Sequence, residues 1–236
     1  MTHAVSSRPR SRALIVCSLI LIALSVPTAI DEWRNALLGV DASAAWLAVG
    51  ASTLSAIVGL AFLAWAARLT PTVLSWLAAV GWGTGGALIL AGRGNGFIDL
   101  AVESSNLGDD AVDFVTSVVT GPVVEETAKG IGVLALILAA RKVLDRPAQG
   151  GVLGALVGLG FAWGEDIGYY VSALEDGMSG LWESFLARAL LGAYGHAIFT
   201  GVFGYALAWA VLRARNAIVG FLAAAGVVQW HDLSFP

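Results

Sequence analysis

Two adjacent carboxylates and a lysine stand at the start of a strongly apolar run, in the segment TGPVVEETAKG over residues 120–130. Glu125 and Lys129 are four residues apart, so on a helix they share one face and can pair. Glu126 points about 100° away around the helix, and we expect it to stay available. Two neighbouring carboxylates suit general acid–base chemistry, because one can be ionised while the other is protonated.

Further polar residues interrupt apolar stretches later in the chain. They are Glu165 with Asp166 in GLGFAWGEDIGYY, His196 in LLGAYGHAIFTG, and His231 in VVQWHDLSFP. An acidic residue at the centre of a membrane-crossing helix costs about 2.5–3.5 kcal/mol. Such residues must therefore face the protein interior, pair with one another or contact water, and they are candidates for a functional site.

Carboxylates and histidines in one water-accessible pocket can perform several kinds of chemistry. A carboxylate can take a proton from water while a histidine stabilises a tetrahedral intermediate. Alternatively, His196, His231 and Glu165 can bind Zn²⁺, with another glutamate as the base. The motif H-E-x-x-H is absent, so separate helices would have to assemble a zinc site. A transporter that relays protons or binds a cation, and a non-catalytic membrane sensor, are the alternatives from other classes.

The composition indicates an integral membrane protein. Of the 236 residues, 58% are hydrophobic and 13% are charged, whereas a soluble domain has about 25% charged residues. Apolar runs of 18 or more residues, enough to cross a hydrocarbon core of about 30 Å, recur along the chain. We therefore predict an all-α polytopic membrane protein with about seven transmembrane helices. They run roughly over residues 13–30, 44–67, 72–92, 121–144, 149–172, 186–212 and 216–235.

The predicted helices divide into an N-terminal part and a core. Residues 1–120 are expected to hold the first helices and an outer loop, and residues 121–236 a catalytic four-helix membrane core. Helix breakers, the GRGNG run at 92–96 and Pro122, predict an irregular outer loop over 93–120 with a short interfacial or re-entrant helix. Two glycine stripes predict close helix packing in the core: Gly150, Gly154 and Gly158, and Gly160, Gly164 and Gly168.

Lysine and arginine positions indicate the orientation. With a cytoplasmic N-terminus, nine basic residues lie on the inner side: Arg8, Arg10, Arg12, Arg68, Arg141, Lys142, Arg146, Arg213 and Arg215. The outer segments hold Arg34 and Arg93, with Arg188 close to the outer edge of the sixth helix. Because inner loops are enriched in positive charge, the N-terminus is predicted to be cytoplasmic. All the polar positions then fall in the outer half of the membrane.

Three ordered motifs point to a family. EETAK matches the pattern E-E-x-x-K, FAWGE matches F-x-x-x-E, and His196 follows on the next predicted helix. Over roughly residues 115–235 the chain resembles the PrsW family of intramembrane proteases, distant relatives of the CAAX-processing membrane endopeptidases. His231, in WHD, resembles the last intramembrane histidine of that family.

The resemblance implies proteolysis within or beside the membrane, and for some members first-step cleavage of an anti-sigma factor on its extracytoplasmic side. It implies that Glu125 and Glu126 activate water and that Glu165, His196 and His231 complete the catalytic site. The expected partners are a membrane-protein substrate, such as a single-span anti-sigma factor, and the lipid bilayer of the cell membrane. No nucleic acid is expected.

Two departures from the family pattern leave the cofactor open. Asp166 stands where relatives often have Asn, and Glu165 replaces the histidine of the CAAX-type F-x-x-x-H motif. The site is therefore either zinc-dependent or a set of glutamates that activates water without metal. We favour the second interpretation, because carboxylates outnumber soft ligands in this sequence.

Overall fold

The computed structural model of the chain describes residues 11–66, 72–105, 107–189 and 193–213. All regular structure in these residues is helical, which confirms the predicted all-α class. Two π-helical segments, Trp82–Ala87 and Val115–Thr120, and a 3₁₀ turn, Leu174–Asp176, join some of the helices. The α-helices are α1 Arg12–Ala36, α2 Ala42–Ala66, α3 Val73–Gly81, α4 Leu88–Glu103, α5 Asp109–Phe114, α6 Gly121–Ala140, α7 Pro147–Ala173, α8 Gly177–Ala187 and α9 Ala193–Arg213.

Polar side chains mark where helices begin. Thr72 accepts a hydrogen bond from the backbone N–H of Ser75, 3.1 Å away, at the start of α3. Asp41, directly before α2, accepts hydrogen bonds from the hydroxyl and the backbone N–H of Ser43 in the first turn. The hydroxyl bond first, and then the backbone bond, lowers the pKa of Asp41. Such side-chain oxygens satisfy N–H groups that have no partner inside the first helical turn.

The third helical stretch is longer than predicted. α3, the first π segment and α4 form one continuous rod that starts at Val73 and ends at Glu103. The prediction that the GRGNG run ends this helix is therefore wrong. Each glycine lowers helix stability by only about 1 kcal/mol relative to alanine, and no proline lies in the run to remove a backbone donor.

The predicted irregular loop over residues 93–120 is wrong in its first part, where α4 continues, but the short helix predicted within it is present as α5 and the second π segment. A short turn follows α4, and then α5, the second π segment and α6 continue without a break. Pro122 lies in the first turn of α6, directly after the π segment, and this is a position in which proline is common. The hydroxyl of Thr120 donates to the carbonyls of Val115 (3.2 Å) and Thr116 (3.3 Å).

The predicted sixth helix, 186–212, overlaps two elements of the described residues. α8 ends at Ala187 and α9 begins at Ala193, so most of the predicted range 186–212 belongs to α9. Gly177 starts α8 with φ of +74°, a left-handed conformation that glycine adopts without strain. The predicted seventh helix, 216–235, lies outside the described residues.

Four helical stretches of the described part are long and apolar enough to cross a membrane: Arg12–Ala36, Ala42–Ala64, Val73–Val102 and Tyr194–Leu212. α6 and α7 have 20 and 27 residues, about 30 and 40 Å at 1.5 Å per residue. These two helices are long enough to span a bilayer, but they are less uniformly apolar, because α6 contains Glu125 and Glu126 and α7 contains Glu165 and Asp166. The count of seven membrane helices stays a prediction.

α7 is the central helix, in contact with α1, α2, α3, α6, α8 and α9. Two glycines let neighbouring backbones approach it closely. A Cβ atom at Gly158 would meet the carbonyl of His196 on α9, and one at Gly160 would meet the carbonyl of Val80 on α3. The predicted close packing is thus confirmed at these positions, whereas Gly168 faces open space.

The contrast between two glycines of α7 gives a test of this packing. We expect Gly158→Ala to destabilise the protein by about 1–3 kcal/mol, because the new methyl group overlaps the α9 backbone. The matched control, Gly168→Ala, should be neutral or stabilising by up to about 1 kcal/mol, because alanine is the better helix former. Equilibrium unfolding of the purified protein in detergent measures both. Equal effects at the two positions would contradict the close approach.

Candidate active site

Lys129 is a fully buried cation on α6. Its Nζ atom is 2.6 Å from Glu126 Oε1 and 3.5 Å from Glu125 Oε2. The hydroxyl of Thr200, on α9, donates to Glu126 Oε2 at 3.2 Å. The predicted pairing of Lys129 with Glu125 is present. The prediction that Glu126 stays free is wrong, because the lysine reaches both carboxylates and Thr200 holds Glu126 toward α9.

His196, on α9, connects this group to α7. Its Nδ1 atom is 2.7 Å from Lys129 Nζ, and its Nε2 atom is 3.4 Å from Glu165 Oε2. An ammonium group can only donate, so Nδ1 accepts and the imidazole proton lies on Nε2, facing Glu165. The ring of Phe161 lines this contact, with its centre 5.3 Å from the imidazole and 4.2 Å from Lys129 Nζ.

A second acidic pair lies one helix away, near the end of α7. Glu165 and Asp166 both contact the guanidinium of Arg188, which follows α8. The Arg188 carbon Cζ also lies over the Tyr169 ring, 3.7 Å from its centre. In the sequence Arg188 served only as an orientation charge. The available signal for its role was a lone arginine predicted at the same membrane depth as two acids.

Trp82, the first residue of the first π segment, packs against α6 on either side of Lys129 along the chain, at Ala128 and Gly132. Its indole N–H donates to the carbonyl of Ala128 at 3.1 Å. Its ring also fills the space beside Gly132, where a Cβ atom would overlap it. π-helical segments are frequent at functional sites. No spacing in the sequence indicated Trp82, because its contact depends on how two helices meet.

The structure brings four of the five predicted site residues together. Glu125, Glu165 and His196 each offer a ligand atom, and these atoms lie within 4.8 Å of one another. Glu126 joins them through Lys129 and Thr200, whereas His231 lies outside the described residues. Two carboxylates and an imidazole are a donor set that zinc binds. The group differs from the predicted set by having Glu125 among its members.

The cluster has an excess of negative charge. The carboxylates are Glu125, Glu126, Glu165 and Asp166, and the cations are Lys129 and Arg188. With His196 neutral, four negative charges face two positive charges, and no side chain of these six is more than 20% exposed. Uncompensated charge is costly in a medium of low dielectric constant. A divalent cation, or a proton on one or more of the carboxylates, would offset this formal surplus.

Comparison with known proteins agrees with the motifs. The sequence matches, over residues 71–231, the family model described as PrsW family intramembrane metalloprotease. The chain belongs to the PrsW family. The matched range contains every charged residue of the cluster, and family membership identifies an integral membrane protein and a protease. No curated protein and no solved structure gave a match in the corresponding comparisons.

The burial of Lys129 in this PrsW-family site gives a stability test. We expect Lys129→Met to destabilise the protein by about 3–5 kcal/mol, because it leaves paired carboxylates buried without their cation. The control is Lys142→Met at an exposed position after α6, expected to change stability by less than about 0.5 kcal/mol. Equilibrium unfolding in detergent measures both variants. Adding Glu126→Gln to Lys129→Met should restore part of the loss, and an unchanged double variant would argue against the pairing.

Proposed function

We propose that the chain is an endopeptidase that hydrolyses a peptide bond of a membrane-protein substrate. The cluster on α6, α7 and α9 is its catalytic centre in this proposal. The supporting observation is the convergence of Glu125, Glu126, Glu165 and His196 in a buried region of a protease-family chain. Ionisable groups are expensive in such surroundings, so a cluster of them favours a functional site over a structural one.

Glu126 is the proposed general base. It is not a member of the group of Glu125, Glu165 and His196 that can hold a metal ion. Lys129 and Thr200 contact its two oxygens at 2.6 and 3.2 Å, which holds the carboxylate in one orientation. A base must lie within hydrogen-bond reach of the water that it deprotonates, and a fixed carboxylate meets that requirement.

We favour a metal-dependent reaction over the metal-free glutamate mechanism. The family is described as metalloproteases. The surplus of two negative charges in the cluster also matches a divalent ion. In addition, catalytic zinc typically has three protein ligands and a fourth position for water or substrate. Glu125, Glu165 and His196 supply three such ligands.

These three residues would hold the ion, with His196 using Nε2, the ring nitrogen that faces Glu165. Zinc, when bound, supplies a Lewis acid that polarises the scissile carbonyl and lowers the pKa of water. To bind in this way the neutral imidazole would carry its proton on Nδ1 instead of Nε2, and the Lys129 ammonium would then be held by Glu126 and Glu125 alone. Glu126 takes a proton from the attacking water and then delivers it to the leaving amine. The ion pair with Lys129 would keep the Glu126 carboxylate in the same position during both proton transfers.

We further propose that the site opens toward the extracytoplasmic side of the cell membrane. The excess of basic residues in the segments assigned to the inside, including Arg141, Lys142 and Arg146, supports a cytoplasmic N-terminus. That orientation puts the outer ends of α6 and α7, with their acids, on the external side. The proposed substrate is a single-span anti-sigma factor, as the family resemblance implies.

Variants of the acids should separate the base from the ligands. Glu126→Gln is expected to reduce cleavage by about 10²–10⁴-fold while the protein still binds zinc, because amides cannot take the proton. Glu125→Gln, Glu165→Gln and His196→Ala should lose both zinc and cleavage, because each removes a ligand. Cleavage is measured on a co-expressed single-span anti-sigma protein, and zinc by elemental analysis of the purified variants.

The matched control is Glu183→Gln on the exposed face of α8, which should retain zinc and activity. Residues of one catalytic unit act non-additively, so the double variant with Glu125→Gln and Glu126→Gln should be no less active than the less active of the two single variants. Full activity in zinc-free wild-type protein would exclude the metal-dependent reaction. Near-normal cleavage in all the ligand and base variants, with loss of ion flux, would favour a transporter instead.

Cysteine labelling tests the orientation. Cys17 is the single cysteine of the chain, so Cys17→Ser gives a background without thiols. Lys142→Cys, in the turn before α7, should react with an impermeant maleimide only after the cells are opened. Ser179→Cys on α8 should react in intact cells, and both positions are exposed. Labelling of position 142 from outside would reverse the proposed sidedness.

A further inference from the structure

Arg188 links the end of α8 to the outer part of α7. Its Nη2 group donates to Glu165 Oε2, and its Nε group donates to Asp166 Oδ1. Its guanidinium also stacks over Tyr169, with Cζ 3.7 Å from the ring centre. Three contacts within one turn of α7 therefore hold this side chain, which is only 17% exposed.

Asp166 anchors the guanidinium. Its side chain is 1% exposed, and it is not among the three residues whose ligand atoms lie within 4.8 Å of one another. A buried carboxylate needs a partner, since an unpaired charge in the interior is strongly destabilising. Arg188 is that partner, so the role of Asp166 is to fix Arg188 rather than to contact the reacting atoms.

Glu165 Oε2 faces donors from two directions. Arg188 Nη2 contacts it from α8, and His196 Nε2 lies 3.4 Å away on α9. A glutamate side chain has three rotatable bonds, so its carboxylate needs fixed partners to keep one position. The planar guanidinium presents its donors in a rigid fork, unlike the single point charge of lysine. With one donor held by Asp166, the other sets the position of Glu165.

We propose that Arg188 is a positioning residue, which fixes Glu165 beside His196 so that Glu125, Glu165 and His196 are ready to bind a divalent cation. This inference rests on the metal-dependent function proposed above. The competing account makes Arg188 a substitute cation that occupies Glu165 until metal replaces it. The two accounts differ in sign, because loss of a competitor strengthens metal binding and loss of a positioning residue weakens it.

The experiment compares the Zn²⁺ affinity of the full-length protein and its variants in detergent, by competition with a chromophoric chelator. Arg188→Lys keeps the charge but loses the fork, and we expect zinc to bind 10–100-fold more weakly, about the effect of removing a partner of a metal ligand. Arg188→Gln should also weaken binding. The control, Arg34→Lys at an exposed position of α1, should leave the affinity unchanged.

Asp166→Asn tests whether Arg188 acts through its anchor. If Arg188 acts through the anchor, Asp166→Asn should weaken zinc binding as well, and the double variant with Arg188→Lys should be no weaker than the single variants. These variants leave the side chains of Glu126 and of the three proposed ligands unchanged. Cleavage should fall in parallel with zinc occupancy and recover at high zinc concentration.

Several results would overturn the proposal. Wild-type zinc affinity in Arg188→Lys would do so, and tighter binding in Arg188→Gln would support the competing account instead. An equal loss in Arg34→Lys would identify general destabilisation as the cause. If the wild-type protein cleaves substrate without binding zinc, the metal-dependent function fails first. That failure can be told apart from a failure of the Arg188 proposal, because it is seen in the wild-type protein alone.

Discussion

The buried charge of Lys129 is the constraint on which the site depends. A lysine without exposed surface must be paired, and its partners Glu126, Glu125 and His196 come from two different helices. The contact with His196 joins the two helices and constrains the rotation of α6 relative to α9, because all three groups must converge on one ammonium. The positions of the proposed base and ligands therefore follow from one electrostatic requirement in a medium of low dielectric constant.

Close helix packing makes that convergence geometrically possible. Gly158 lets the α9 backbone touch α7 at His196, and Gly160 does the same for α3 on the opposite face. Between helices of this kind the hydrophobic effect gives little driving force in a bilayer, so backbone proximity and interhelical hydrogen bonds must hold the bundle together. Trp82 and Thr84 provide two such bonds, to the carbonyls of Ala128 and Gly160. The proposed catalytic cluster and the packing of the core are thus parts of one structure.

The helix ends show what local patterns miss. Apolar runs predicted the existence of most helices, because crossing a bilayer requires about 20 consecutive, predominantly apolar residues. The GRGNG run was expected to end the third helix, yet the chain remains helical there, whereas Pro122 lies in the first turn of α6, at the start of a predicted helix. Gly and Pro change local helix propensity by a few kcal/mol at most, and packing against neighbouring helices together with π segments outweighs that change. Propensity is a weak guide wherever tertiary contacts decide.

The sequence by itself determined the chemistry of the site. Charged groups in apolar runs are conspicuous because they are costly, so Glu125, Glu165 and His196 could be selected, and their order along the chain identified the family. The tertiary structure alone decided which side chains contact one another. Arg188 approaches Glu165 from a separate helix, and Thr200 takes one oxygen of Glu126. Such contacts depend on the rotation and separation of helices, which are set by packing across the whole bundle and leave no periodic trace in the sequence.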